Sequence, residues 1–188
     1  MYYVMRSDYN DSGVMIMKSP VIPGHQNVSL DLGIRFEKQL PVFDFIMDEQ
    51  TQGEVLDFVW TTFPGFVVSA RFRKVLEDIG VDNMDYYPVR IVNALTRQVH
   101  EDYFAANVLG RAACMDMNSS QFTPSLLDPA QVQSIDELRL DPSKIPDFKL
   151  FRLAECLTIV LAHESVKRAV QEARLRGVEF IPADGYGE

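Results

Sequence analysis

The sequence predicts an α+β fold with antiparallel and mixed sheets, assembled around two packed strand–helix–strand units. Three observations predict it. The first unit runs through Phe66-Val67-Val68-Ser69, then Phe72, Val75, Leu76 and Ile79, and closes at Tyr86-Tyr87-Pro88. The second runs from Ile159 to His163, then through Val166, Ala169, Val170 and Ala173, and closes at Phe180-Ile181-Pro182. The paired helical positions keep one offset, 94 residues, which is also the separation of Pro88 and Pro182. Within each unit the apolar residues recur at i, i+3, i+4 and i+7, the one-face pattern of an amphipathic helix.

The helix ends are legible in residue chemistry. Ser69 is a good N-cap, because its side-chain oxygen can accept a bond from an orphan N–H of the first turn. His163 occupies the matching position. Arg71, Arg73, Lys74, Glu77 and Asp78 fill the outer face of the first helix. Gly80 and Gly177 suit helix stops. The spacing predicts the second helix over 163–176.

The remaining elements follow in chain order. Tyr2 to Met5 reads as an edge strand and Val14 to Met17 as a short second strand, with Pro20, Pro23 and Gly24 marking a loop. Val28 to Phe36 alternates imperfectly and reads as a further strand. Tyr86 to Leu95 and Asp102 to Leu109 predict an antiparallel pair, with Pro88 near a strand start, where its missing N–H is tolerable. Asp128-Pro129 has N-cap and N1 character, and Ser134 to Glu137 has capping-box spacing. Lys149 to Leu161 is strand-like, Val178 to Ile181 forms a last strand, and 182–188 reads as a mobile tail. Residues 1–54 form a strand-rich N-terminal region packed on an α+β domain of 55–188, one compact unit overall.

Composition bounds the function. The chain has 188 residues and a net charge of −9, with 47% apolar residues. A chain this acidic is a poor nucleic-acid binder, since phosphate contact needs clustered Lys and Arg. No run of eighteen apolar residues suggests a membrane span. The N-terminal segment lacks the features of a secretory signal, and Cys114 and Cys156 sit among apolar neighbours as reduced thiols do, so the expectation is a cytoplasmic protein.

From Gln39 to Ala70 there is no Lys or Arg, while Asp44, Asp48, Glu49, Glu54 and Asp57 all fall in that window. These five acids are the candidate partner-binding residues, read as an acidic surface suited to basic side chains. Trp60, Phe63, Pro64, Gly65 and Phe66 form the densest aromatic patch, mostly core, with part available as an interface anchor.

Catalytic signatures are missing. His163-Glu164 is followed by Lys167 where a zinc-binding helix needs a second histidine. His25 and His100 stand far apart, and no Cys/His spacing resembles a zinc site. There is no phosphate-cradling glycine loop and no G-x-S-x-G elbow. Cys114 reads as a buried thiol, and Arg152 with Glu155 as a structural ion pair. No catalytic residue, cofactor or metal is therefore expected.

The ordered segments Asp57-Phe58-Val59-Trp60, Val67 to Phe72, Tyr86-Tyr87-Pro88-Val89, Tyr103 to Val108, Met115 to Ser119, Phe151 to Glu155 and Gly177 to Phe180 carry a resemblance. With them the chain resembles the Imm11 immunity family, also described as DUF1629, over roughly residues 55 to 182. It departs from the family where His163 replaces a usual serine and in its long, idiosyncratic N-terminal region. The resemblance implies a bacterial immunity protein that binds and neutralises a cognate toxin without catalysis of its own. The acidic balance suits a toxin with a basic surface. Two other classes remain open: an enzyme acting on a small molecule or reversing a toxin's modification, and a self-associating structural module.

Overall fold

The computed structural model describes residues 1–25, 28–47 and 53–187. In chain order the elements are β1 (Tyr2–Ser7), β2 (Met15–Ile16), β3 (Phe43–Met47), β4 (Phe58–Thr61), β5 (Phe66–Ser69), α1 (Ala70–Asp78), β6 (Met84–Asn93), β7 (Val99–Val108), β8 (Arg111–Ala112), β9 (Gln121–Pro124), β10 (Val132–Glu137), β11 (Leu150–Leu153), β12 (Cys156–His163), α2 (Glu164–Glu172) and β13 (Val178–Pro182). They form a six-stranded mixed sheet ordered β2-β4-β5-β7-β6-β3, a five-stranded mixed sheet ordered β13-β1-β12-β11-β8, and the separate hairpin β9-β10. Strands dominate, with two α-helices among the described residues.

The two helices occupy equivalent places in the two sheets. Both β5 and β6 run antiparallel to β7, so they are parallel to each other with β7 between them, and α1 makes the crossover. Both β12 and β13 run antiparallel to β1, and α2 makes the crossover there. A parallel pair cannot be joined by a tight turn, which is why a helix intervenes in each case. The 94-residue offset holds at both ends of the helices, at both N-caps and at the starts of β6 and β13.

The caps show the same chemistry in two forms. Ser69 Oγ accepts the Phe72 N–H at 3.1 Å. His163 Nδ1 accepts the Ser165 N–H at 3.2 Å and lies 3.0 Å from Ser165 Oγ, so the imidazole replaces a hydroxyl. Beyond α1 the chain turns left-handed at Gly80, φ 75°, and beyond α2 it does so at Arg174, φ 53°. The second stop is therefore Arg174, and α2 ends at Glu172, earlier than the sequence pattern predicts. Gly177 has a different task. A Cβ there would come 2.1 Å from the Phe58 carbonyl oxygen, so only glycine lets this turn lie against β4.

Strand alternation sorts side chains into three cores. The central one takes Phe72 and Leu76 from α1, Val166 and Val170 from α2, and one face of each sheet: Val68, Ala106 and Val108, with Leu150, Val160 and Ala162. The opposite face of the six-stranded sheet buries Val67, Tyr103 and Ala105 under Ile22, Val28, Leu30 and Leu40. The opposite face of the five-stranded sheet buries Phe151, Ile159 and Leu161 under Val132, Ile135, Leu138 and Tyr186.

Several expectations are corrected. β1 is an interior strand between β12 and β13, because residues 2–4 pair with β12 and residues 3–7 with β13. Residues 28–36 form no strand. Leu30 is buried, but its N–H donates to the Pro64 carbonyl and its carbonyl accepts from Arg152, so its backbone bonds go to scattered partners. No helix starts at Asp128 or Ser134; pairing with β9 makes 132–137 a strand, burying Val132 and Ile135. Pro88 lies within β6, one residue before the stretch that pairs with β3, so its missing N–H falls just outside that ladder. The tail is docked as far as Gly187: Ala183 and Tyr186 are buried, and Leu138 N–H donates to the Tyr186 carbonyl at 2.7 Å. Residues 1–54 supply strands to both sheets.

Leu76 and Val170 are at equivalent, fully enclosed positions. Each truncated to alanine should lose on the order of 2–4 kcal/mol in chemical denaturation, the leucine at the upper end. A loss below about 1 kcal/mol at both would show that the central core does not depend on the helices.

Candidate functional site

The structure distributes the predicted acids unevenly. Asp44, on β3, faces Arg90 on β6, which donates from Nε at 2.7 Å and from a terminal nitrogen at 3.0 Å. Glu54 is largely exposed and accepts from Arg176 at 2.7 Å. Asp57 is almost enclosed, its side chain 10% exposed. It accepts from Ser69 Oγ at 2.7 Å, from Arg71 and from the Arg176 N–H at 3.3 Å. Asp57 therefore joins the cap of α1 to the segment after α2. Asp48 and Glu49 lie outside the described residues. A stretch free of cations in sequence is thus not free of them in space, because Arg71, Arg90 and Arg176 fold onto it.

Around these acids the N-terminal segment exposes apolar and aromatic side chains. Trp60 is half-buried and makes an edge contact with Tyr9, ring centroids 6.2 Å apart. Tyr9 is 62% exposed, and the Arg6 guanidinium sits 5.7 Å from its centroid. Met15 pairs in register with Trp60. Asp8, Tyr9, Asp11, Met15 and Trp60 line a shallow hollow. The next residues lead into a groove of about 540 Å³ bounded by Lys18, Val21, Val42, Asp44, Ile46 and Arg90. The rim residues Val42 and Ile46 are exposed, and Val21 almost entirely so. Thr62 pins this segment by donating to the Met17 carbonyl at 2.9 Å. A second groove, of about 370 Å³, shares Ser19, Pro20 and Val21 and reaches His25 and Phe63.

This face combines exposed Tyr9 and Met15 and the half-buried Trp60 with acids, the composition of an interface rather than of a reaction centre. Sequence reasoning found Trp60, Asp44 and Glu54 but missed Tyr9, Met15, Val21 and the groove. The signal was present only as a proline-marked loop, since exposure of an apolar residue leaves no trace in local pattern.

The interior polar groups Arg152 and Glu155 bond to the backbone. Arg152 is buried and donates to the carbonyls of Leu157 at 2.7 Å and Leu30 at 3.1 Å, with Phe66 5.7 Å from its guanidinium. Burial lowers its pKa to about 10. Glu155 instead accepts the Met115 N–H at 3.3 Å, and burial raises its pKa. The expected Arg152–Glu155 ion pair is not formed: Arg152 reaches back across the turn and into the loop over Phe66. Burial, with Glu155 nearby, pushes the Cys114 thiol up to about 12, which keeps it protonated and a poor nucleophile. Among the described residues no group of three or more His, Cys, Asp or Glu could hold a metal ion.

Asp11 sits at the edge of the hollow and accepts from Arg176 and from the Gly177 N–H. The Arg176 hydrogen bond holds its pKa below the ordinary aspartate value, against a partial opposing effect of burial. A lowered folded-state pKa stabilises the fold above the ordinary value, 3.8, and that contribution is lost as pH falls through the lowered value. Arg176→Gln should therefore destabilise the protein in urea at pH 7, and the difference from wild type should shrink as pH falls below the ordinary aspartate value. A penalty independent of pH would assign Arg176 a packing role only.

Comparison with known proteins adds the family. No curated protein matches the chain, and no helix among the described residues is long and apolar enough to cross a membrane. The family model for an immunity protein family, Imm11, matches residues 5–185. That match extends the motif resemblance of 55–182 chiefly at its N-terminal end, taking in the second half of β1, the hollow and the groove. With nearly its whole length matched, the chain belongs to the Imm11 immunity protein family.

Proposed function

We propose that this protein is a non-enzymatic, cytoplasmic binder that neutralises a cognate toxin with a basic surface, and that it does so through the N-terminal face. The observation that carries the reading is the pairing of an immunity-family match over residues 5–185 with a face of exposed Tyr9, Met15, Val21 and Ile46 set among Asp8, Asp44 and Glu54. The chemistry suits capture of a cationic protein. A net charge of −9 accelerates encounter, and apolar anchors that leave water on docking slow release. Asp44 and Glu54 contribute as partner contacts that exchange or share their arginines with the toxin's cations. Asp48 and Glu49 belong to the same acidic stretch of sequence. Asp57 acts behind them by fixing Arg71 and Arg176.

Tyr9→Ala removes an exposed ring without touching a core. It should weaken binding of the toxin encoded by the adjacent gene by about tenfold or more, with the melting temperature unchanged. The Asp44→Lys, Glu54→Lys double variant should lose affinity mainly through a slower on-rate, with a smaller penalty at high salt. Failure of the wild-type protein to bind that toxin, or to protect cells expressing it, would reject the function. Normal binding by the Tyr9 and double variants would keep the function and move the face.

A further inference from the structure

We propose that the tip of the β9–β10 hairpin is a second, hydrophobic anchor of the complex, with Leu126 and Leu127 entering an apolar pocket rimmed by Lys or Arg on the toxin. This rests on the toxin-neutralising reading and adds a site on a different part of the fold. The two adjacent leucines are 95% and 97% exposed. Side chains of this size held so far out of the fold gain nothing from folding, and burying them is favourable only against another molecule.

The tip is held in shape. Ser125 Oγ accepts the N–H groups of Leu127 and Asp128, each at 3.3 Å. Asp128 Oδ1 accepts the Ala130 N–H at 2.9 Å, its carbonyl accepts the Gln131 N–H at 3.0 Å, and Ser125 N–H donates to the Gln131 carbonyl. The base is fixed to the β11–β12 turn: Val132 N–H donates to the Glu155 carbonyl at 2.8 Å and the Gln131 amide to the Ala154 carbonyl at 3.0 Å. Val132 and Ile135 are buried beneath it. A loop ordered before it meets a partner loses less entropy on binding than a free one.

Charge selects the occupant. From Ala112 to Leu138 there is no Lys or Arg, while Asp116, Asp128, Asp136 and Glu137 are present. Glu137 pairs with Arg139, but among the described residues neither Asp128 nor Asp136 forms an ion pair. An anionic bilayer would be repelled by this hairpin, and a second copy brings the same net charge of −9. A pocket with a cationic rim matches both the leucines and the carboxylates.

The test is calorimetric titration of the full-length protein, as wild type, as Leu126→Ser with Leu127→Ser, and as Leu126→Met with Leu127→Met, against the catalytically inactivated toxin encoded beside it. The serine pair should melt as wild type does yet bind about 30-fold or more weakly, and the methionine pair should bind nearly as wild type. Equal binding by the serine pair would overturn the anchor while leaving the function standing. No binding by wild type would overturn the function and the anchor together. A leucine-dependent dimer in sedimentation, or leucine-dependent pelleting with phosphatidylcholine–phosphatidylglycerol vesicles, would also overturn the proposal, because the tip would then serve another surface.

Discussion

Two helices pressed against each other between two sheets form the contact on which the rest of this molecule depends. Phe72 and Leu76 meet the core that Val166 and Val170 also enter, and both sheets contribute one face to it. Neither sheet could bury that face alone. Each crossover helix covers part of its own sheet, and their mutual packing joins the halves. Asp57 reinforces the joint from outside by binding Ser69 at the start of α1 and the Arg176 backbone after α2. The repeated offset, cap for cap and stop for stop, means that each half solves the same problem with different residues: serine or histidine at the cap, glycine or arginine at the left-handed turn.

In the proposed reading, that frame leaves binding to the periphery. The outer face of the six-stranded sheet is covered by irregular chain between β2 and β3, through Ile22, Val28, Leu30 and Leu40, and the outer face of the five-stranded sheet by the hairpin and the C-terminal segment. Both coverings bury one side and display the other. The N-terminal covering displays the hollow and the grooves, and the hairpin displays its tip. Arg152 ties one covering to the frame, reaching from β11 to the Leu30 carbonyl. A buried guanidinium whose terminal nitrogens donate to carbonyls rather than to a carboxylate is costly to keep, and its return here is the fixed position of a loop that no strand pairing holds.

How much of this could be read from residues follows from range. The helices were legible because periodicity and caps are local: Ser69, Phe72, Leu76 and Gly80 lie within twelve positions. The route of 28–36 was not, since its hydrogen bonds run to Pro64 and Arg152, far away in sequence. The capping-box spacing at Ser134 lost to pairing with β9, a tertiary contact that local propensity does not see. The acids illustrate the limit for the site. Their clustering in sequence was real, yet Asp57 became a structural tie and Asp44 and Glu54 acquired arginines from distant segments. Tyr9, Val21 and Leu126 were invisible as candidates because their significance is exposure, which only the fold determines.

The central claim is an inert frame with a working N-terminal periphery, and hydrogen–deuterium exchange of the protein with and without its toxin measures that division most directly. The account predicts slowed exchange on binding within 8–23 and 42–47, with the amides of α1 and α2 unchanged. Slowing confined to the outward faces of the helices, or loss of protection in the central core on binding, would contradict it.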